Sequence, residues 1–332
     1  MPAIPIAVEV CRGAHVESRH AVSAVVVDAS GTILAQAGDI GQAVFPRSAI
    51  KPFQAIPLIE TGAAERFAVS REELALACAS HGGEPMHVER VAAWLARLGM
   101  DDERLGCGPH RPTHLPSADA LVRAGERPRR LHNNCSGKHT GMLAVALHMS
   151  EDPDTYLQVD HPVQRRVRAV LDRYTGDRVV DPPGTDGCGV PSWPIPLQGL
   201  ALAVARFGAD EAPAAVALRR AMTAHPELVA GSGRCCTAVM RAAPHILAKT
   251  GAEGVFVAAV PERRIGLALK ATDGATRAAE VTLLAIFERL GLLDDRAREA
   301  LAPFARPVLR NFAGTEVGEV RPAADWLAMT GR

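Results

Sequence analysis

Apolar runs typical of β-strands lie near both ends of the chain. Residues 22–27 form a continuous apolar run, residues 28–31 carry a turn signal and residues 32–37 continue from it, which together predict a β-hairpin. Residues 255–260 and 265–270 flank a short turn and predict a second hairpin. Strands are therefore expected at both ends of the chain.

Between these ends, apolar residues recur with the period of amphipathic helices, and proline and glycine mark several helix boundaries. The segments predicted to be helical are residues 49–59, 85–98, 142–148, 163–174, 197–207, 212–222 and 276–290. This order is not a repeating βαβ pattern, so we expect an α+β fold, an α/β sandwich with a sheet from both chain ends. Residues 1–332 are expected to form a single domain. A two-lobe arrangement, with a terminal sheet from 1–45 plus 250–332 and a helical middle from 46–249, is the alternative.

Composition argues against several classes of partner. The 37 basic and 37 acidic residues cancel, and aromatic residues make up only 4%, so neither nucleic acid nor an anionic membrane is an expected partner. No apolar run reaches membrane-spanning length, and the first residues do not resemble a signal peptide. The seven cysteines are odd in number and form no Cys-x-x-Cys motif, which favours reduced thiols and a cytoplasmic location.

The stretch 45–52 contains a serine three residues before a lysine, Ser48 and Lys51, at the start of a predicted helix. This spacing places the hydroxyl and the amine on one helix face, one turn apart. A serine needs a base to become a nucleophile, and a lysine serves when burial or a nearby cation such as Arg47 lowers its pKa. The same spacing marks serine acylases of the β-lactamase and penicillin-binding class, but so short a pattern also occurs as an exposed, non-catalytic pair.

Two further polar stretches come just before predicted helices. Ser80 begins the run Ser-His-Gly-Gly, where main-chain N–H groups can bind an oxyanion, although a simple capping turn explains the same residues. Residues 132–139 hold two amides, a thiol, an amine and two imidazoles, a density that favours a functional site. Cys135 and His139 lie four residues apart, which suits two metal ligands on one helical turn.

A glycine-rich loop and a late lysine complete the candidates. Asp186 would orient a substrate ammonium group or cap its own turn, and Cys188 would be a small buried residue or a second thiolate beside Cys135. Lys249 begins the run Lys-Thr-Gly just before the C-terminal hairpin, the position of the third element of the Ser-x-x-Lys acylases. Their middle element, Ser-Asp-Asn, is absent from the sequence, which counts against the penicillin-recognising class.

Taken together, these stretches resemble the Rhizobium etli type (class 3) L-asparaginases of the asparaginase II family. The matching blocks are RSAIKPFQ at 47–54, ASHGGE at 79–84, CGPH at 107–110, NNCSGKHTG at 133–141, DGCGVP at 186–191, HPELVAG at 225–231, KTGAEG at 249–254 and GLALKATDGATRA at 266–278. The resemblance implies a fold similar to that of serine β-lactamases and glutaminases. It also implies hydrolysis of L-asparagine to L-aspartate and ammonia by a homodimer. Hydrolysis of L-glutamine, or another serine acylase activity, is the alternative.

The resemblance implies roles for individual residues. The two Ser–Lys pairs of the family correspond to Ser48 with Lys51 and Ser80 with Lys249, and Ser48 is expected to be the nucleophile, activated by Lys51. A cysteine of the family near the second pair corresponds to Cys235. Because its neighbour is also a cysteine, at most one of the two is expected to face a pocket.

The zinc site of the family corresponds to Cys135, Lys138 and Cys188, which with water would hold one zinc ion per subunit. Lys138 must be neutral to bind a metal, and the residues alone favour His139 as the ligand. The residues implied to line the substrate pocket are Arg47, Asp186, His139 and Cys235. Zinc is expected to assist substrate orientation without being essential for turnover; zinc as the hydrolytic centre, or a non-enzymatic zinc-binding protein, is the alternative.

Overall fold

Strands from both ends of the chain form one sheet in the computed structural model, which describes residues 3–324 and 326. The strands are β1 (Ile6–Arg12), β2 (His15–Asp28), β3 (Ile33–Ala37), β4 (Ala43–Val44), β5 (Gly184–Thr185), β6 (Pro191–Ser192), β7 (Ile195–Pro196), β8 (Leu247–Thr250), β9 (Val255–Val260), β10 (Ile265–Ala271), β11 (Val308–Arg310) and β12 (Glu316–Pro322). Eight of these described strands form an antiparallel sheet in the order β11-β12-β1-β2-β10-β9-β8, with β3 also paired to β2. The α+β class and both predicted hairpins are confirmed.

Most of the helices lie between the two groups of strands. They are α1 (Lys51–Glu60), α2 (Ala63–Arg66), α3 (Arg71–Ala77), α4 (Pro85–Arg97), α5 (Leu115–Ala124), α6 (Ser136–His148), α7 (Pro162–Thr175), α8 (Leu197–Ala209), α9 (Pro213–Ala224), α10 (Pro226–Ala230), α11 (Cys235–Ala242), α12 (Thr276–Arg289) and α13 (Asp295–Ala305). The seven predicted helices are all present. The helices that the sequence did not predict are short (α2, α3, α10 and α11) or largely exposed (α5 and α13).

The long strand β2 joins two parts of the sheet. Its residues up to Ala21 pair with β1, whereas its residues from Val22 onward pair with β10. The last strand, β12, pairs with β1 and so brings the end of the chain back beside its beginning. Strands β11 and β12 were not predicted, because their side chains are mostly half-exposed or exposed and lack a continuous apolar face.

Helix α8, from the middle of the chain, packs on the terminal sheet at a glycine. A Cβ atom added to Gly266 in β10 would lie 2.3 Å from the main-chain nitrogen of Ala205 and 2.4 Å from the carbonyl oxygen of Ala201. Only glycine therefore permits this close approach of helix and strand. Helix α12 also contacts β10, and β9 and β10 are buried along almost their whole length.

Candidate active site

Two serine hydroxyls meet in a cleft of about 330 Å³. Ser48 lies in a 3₁₀ turn (Arg47–Ile50) that leads into α1, and Ser80 lies in the loop after α3. The Oγ of Ser80 donates a hydrogen bond of 3.3 Å to the Oγ of Ser48. Other residues that line the cleft are Arg47, His81, His110, Thr113, Asn133, Asn134, Cys135, Asp186, Gly187, Cys188, Arg234, Thr250, Gly251, Ala252 and Thr276.

Two lysine amines lie behind this cleft, and both side chains are almost fully buried, with Lys51 1% and Lys249 2% exposed. The Nζ of Lys51 donates to the carbonyl oxygens of Ala79 (2.5 Å) and Asn134 (3.2 Å). The Nζ of Lys249 donates to the carbonyl oxygen of Thr250 at 3.1 Å. Within the described part of the chain, neither amine is hydrogen-bonded to a serine hydroxyl. The pairing of Ser48 with Lys51 and of Ser80 with Lys249 therefore stays a prediction.

The two amines differ in their charge environment. Burial, reinforced by the positive charge of Lys51, lowers the pKa of Lys249 from 10.5 to about 7. A lysine is a base only in its neutral form, and at this pKa a large fraction of Lys249 is neutral near pH 7. Lys249 is therefore the amine in the site that is prepared to accept a proton.

The end of β8 lies directly against the segment that carries Ser48. A Cβ atom added to Gly251 would lie 2.5 Å from the carbonyl oxygen of Pro46. A larger residue at 251 would push the two segments apart. This contact fixes the C-terminal lysine strand relative to the N-terminal serine turn, although about 200 residues separate them.

Arg47 precedes Ser48 in a left-handed backbone conformation (φ 52°), which is uncommon for a residue other than glycine. Its Nε donates to Oδ1 of Asp186 at 2.5 Å, and this ion pair lies at the cleft. Burial opposes ionisation of Asp186, but the charges of Lys138 and Arg47 outweigh it and lower the pKa of the carboxyl group. Asp186 is consequently an ionised carboxylate at the cleft.

Two cysteines and a lysine form a second polar group beside the serines. The Nζ of Lys138 donates to Sγ of Cys188 at 3.0 Å, and Cys135 and Cys188 share a hydrogen bond that lowers the pKa of Cys188 and raises that of Cys135. The positive charge of Lys138 is therefore balanced by the thiolate of Cys188. Lys138 contacts Cys188, and Cys188 contacts Cys135, so two sulfur atoms and one amine lie close together. They would hold zinc if Lys138 gave up its proton, although the charges of Cys188 and Cys135 outweigh burial and raise the pKa of that amine.

His139 takes part in a separate buried contact. Its Nδ1 atom lies 2.6 Å from the hydroxyl of Tyr156, while its Nε2 atom is buried and has no hydrogen-bond partner among the described residues. It does not line the cleft. Across residues 3–324 and 326, no group of three or more His, Cys, Asp and Glu side chains is arranged to hold a metal. Cys135 interacts with Cys188 and Lys138, whereas His139 belongs to the separate contact with Tyr156.

Cys235 is buried and does not line the cleft. The residue before it, Arg234, does line the cleft. Sequence reasoning did not select Arg234, because a single arginine in a glycine-containing loop looks like an ordinary surface residue. It also passed over Asn134, whose carbonyl oxygen holds Lys51 and whose side chain accepts a hydrogen bond from Cys135. The signal that could have identified Asn134 is its position inside one of the motifs that match the family.

A family model described as L-asparaginase II matches residues 8–322. The chain belongs to the L-asparaginase II family. Membership in this family supports an asparaginase-like function and a small-molecule substrate. It also agrees with the position of the matched motifs, which surround the cleft that contains Ser48 and Ser80.

The structural comparison gives a weaker likeness. A crystal structure of a β-lactamase from Mycobacterium bovis is 14% identical in sequence and covers 86% of this chain and 95% of its own, with a TM-score of 0.34. That score is too low to establish more than a loose similarity. No curated protein matches the sequence. Among the described helices, none has both the length and the apolar character needed to cross a bilayer.

Proposed function

We propose that this protein is an L-asparaginase of the Rhizobium etli type, which hydrolyses L-asparagine to L-aspartate and ammonia through a serine nucleophile. The observation that carries the proposal is the pair of hydroxyls of Ser48 and Ser80, 3.3 Å apart in the cleft, together with the buried Lys249, whose pKa is lowered to about 7 and whose neighbour Thr250 lines the same cleft. Serine hydrolases need such a neutral base next to the attacking hydroxyl. Family membership supplies the substrate class.

In the proposed reaction, the Oγ of Ser48 attacks the side-chain amide carbon of asparagine. The hydroxyl proton passes to a neutral lysine amine and from there to the leaving nitrogen, so that ammonia departs and a β-aspartyl ester remains on Ser48. A water molecule then attacks the ester, gives its proton to the same amine, and releases aspartate. We assign Lys249 as the base in place of the expected Lys51, because burial, reinforced by the positive charge of Lys51, lowers the pKa of Lys249.

Ser80 and Asp186 hold the reactants in this scheme. The hydroxyl of Ser80 contacts that of Ser48 and forms part of the route by which the proton leaves it. Asp186 is ionised and faces the cleft, so it suits the α-ammonium group of an amino acid. Arg47 fixes the carboxylate of Asp186 through its ion pair.

We further propose that Cys135, Lys138 and Cys188 hold one zinc ion per subunit, that zinc is not essential for turnover, and that the protein is a cytoplasmic homodimer. A zinc ion bound there would supply a fixed positive charge beside the cleft. The three side chains themselves support the loop that carries Asp186, because Lys138 contacts Cys188 two residues away from it.

Ammonia release from L-asparagine and from L-glutamine, measured with and without added zinc, tests the proposal. The wild-type protein is expected to prefer L-asparagine and to retain activity after metal removal. Ser48→Ala is expected to abolish the release, and Ser18→Ala, in β2 and away from the cleft, to leave it unchanged. Hydrolysis of a chromogenic cephalosporin without ammonia release from L-asparagine would instead favour a β-lactam acylase, and loss of turnover on complete chelation would favour zinc as the hydrolytic centre.

A further inference from the structure

The cleft contains two guanidinium groups and one carboxylate, and only one of the guanidinium groups is paired. Arg47 forms its ion pair with Asp186. Arg234 is half-buried and, within residues 3–324 and 326, its side chain makes no ion pair or hydrogen bond. A half-buried cation without a partner at a substrate cleft is a ready binding site for an anionic group of the substrate.

The main chain before Arg234 is fixed to the loop of the second serine. Glu84 is only 6% exposed and accepts hydrogen bonds from the main-chain nitrogen (2.8 Å) and the hydroxyl (2.7 Å) of Ser232. Glu84 belongs to the same loop as Ser80, four residues further along. The backbone of Arg234 is therefore held in a defined position relative to the reacting hydroxyls.

The charge of Arg234 acts on a different part of the site from the charge of Asp186. Arg234 is one of the cations that lower the pKa of Lys249, whereas Asp186 is ion-paired with Arg47. Glu280 interacts electrostatically with Arg234, and burial raises the pKa of the Glu280 carboxyl group. Among the described residues Glu280 forms no ion pair with Arg234, so the cleft has a cation at Arg234 and a carboxylate at Asp186.

We propose that Arg234 binds the α-carboxylate of the substrate while Asp186 binds its α-ammonium group, so that the cleft selects free amino-acid amides. This inference rests on the proposed function. Arg234 begins helix α11 as its N-cap residue, and the positive end of the helix dipole favours a carboxylate at the same place. An asparagine residue within a peptide chain lacks the free carboxylate and would be a poor substrate.

Two truncated substrates separate the two poles. Succinamate is asparagine without the ammonium group, and β-alaninamide is asparagine without the carboxylate. At pH 9, where the Lys249 amine is neutral with or without the charge of Arg234, replacing Arg234 with Gln should lower kcat/KM by about 10- to 100-fold for L-asparagine and succinamate, mainly through KM. It should leave β-alaninamide nearly unchanged. Asp186→Asn should show the reverse selectivity, with losses for L-asparagine and β-alaninamide only.

Arg241→Gln is the matched control, because Arg241 lies on the same helix, is exposed, and pairs with Glu227 away from the cleft. It should leave all three rates unchanged. If Arg234→Gln does not fold, as judged by circular dichroism, Arg234→Lys carries the test, with the same substrate pattern and a smaller loss of about 3- to 10-fold.

The outcomes distinguish this inference from the proposed function. Wild-type protein that releases no ammonia from L-asparagine would overturn both. Active wild-type protein, combined with an Arg234 variant that loses the same factor on all three substrates or loses nothing, would overturn the assignment of Arg234 alone. A loss confined to the two substrates that carry a carboxylate supports it.

Discussion

The two lysines behind the cleft have the same side chain and almost the same burial, yet they occupy different surroundings. Lys51 begins helix α1, and its amine donates to two carbonyl oxygens from other segments. Lys249 lies in β8, and among the described residues its amine donates only to the carbonyl of Thr250, while burial and the charge of Lys51 lower its pKa. Burial is the main cause of the lowered pKa of Lys249 and the charge of Lys51 adds to it, so we assign different roles to the two amines.

Removing the nucleophilic hydroxyl should give the largest loss of kcat, and the size of the loss should differ between the two serines. Ser48→Ala is expected to lower kcat by about 10⁴-fold or more, since no acyl-enzyme can form on it. Ser80→Ala should cost about 10²-fold, the contribution of a residue that assists proton transfer. Both are measured as ammonia release under saturating L-asparagine. Equal losses in the two variants would show that the serines are not distinguished in the way we describe.

Replacing the base should come next. Lys249→Met is expected to lower kcat by about 10³-fold, since the lost group is a general base. In the wild-type protein the neutral amine is the active form, so the rate should rise through an apparent pKa of about 7 and stay constant above it. Below that pKa it should fall about tenfold per pH unit. A wild-type profile that rises only near pH 10 would contradict the assignment of Lys249.

Replacing the neighbouring cation tests the division of roles between the lysines. Lys51→Met removes the positive charge that helps to lower the pKa of Lys249, so the apparent pKa of the rate should shift upward by about one unit. The rate at pH 7 should drop by about fivefold, because the neutral fraction of the amine falls from about one half to about one tenth, and most of the rate should return at alkaline pH. A loss that is the same at all pH values would mean that Lys51 itself acts on the substrate.

The contact between the end of β8 and the turn that carries Ser48 can also be tested by adding a single methyl group. Gly251→Ala places a Cβ atom against the carbonyl of Pro46 and should destabilise the protein by about 1–3 kcal/mol, with a modest loss of activity. Gly41→Ala is the control, because its nearest neighbour would be the Asp39 side chain at 3.6 Å, and its melting temperature should change little. An unchanged melting temperature for Gly251→Ala would show that β8 and the serine turn are not in firm contact.

The serines and lysines of the site also show how much of the structure can be predicted from the sequence. Serine and lysine three residues apart on one predicted helix are recognisable locally, and Ser48 and Lys51 were found in this way. The hairpins and the longer helices were also predicted, because burial of one face imposes a regular period on their residues. Strands β11 and β12 were missed because their half-exposed faces carry no such period.

What the sequence could not supply is the consequence of long-range contacts. The lowered pKa of Lys249 requires burial and the proximity of Lys51, and no local pattern encodes that proximity. Arg234 gains its significance from Glu84, which joins two loops about 150 residues apart. The contact between Lys138 and Cys188 is also long-range, and these two residues were selected because of a family resemblance rather than from residue chemistry.

Covalent labelling of the nucleophile tests the central claim most directly. A diazoketone analogue of L-asparagine should alkylate the attacking hydroxyl, and peptide mapping by mass spectrometry identifies the labelled residue. Our account predicts one label per chain, on Ser48, that L-aspartate protects against and that is lost in Ser48→Ala. Labelling of Ser80 instead, or ammonia release from L-asparagine by an unlabelled Ser48→Ala variant at the wild-type rate, would contradict it.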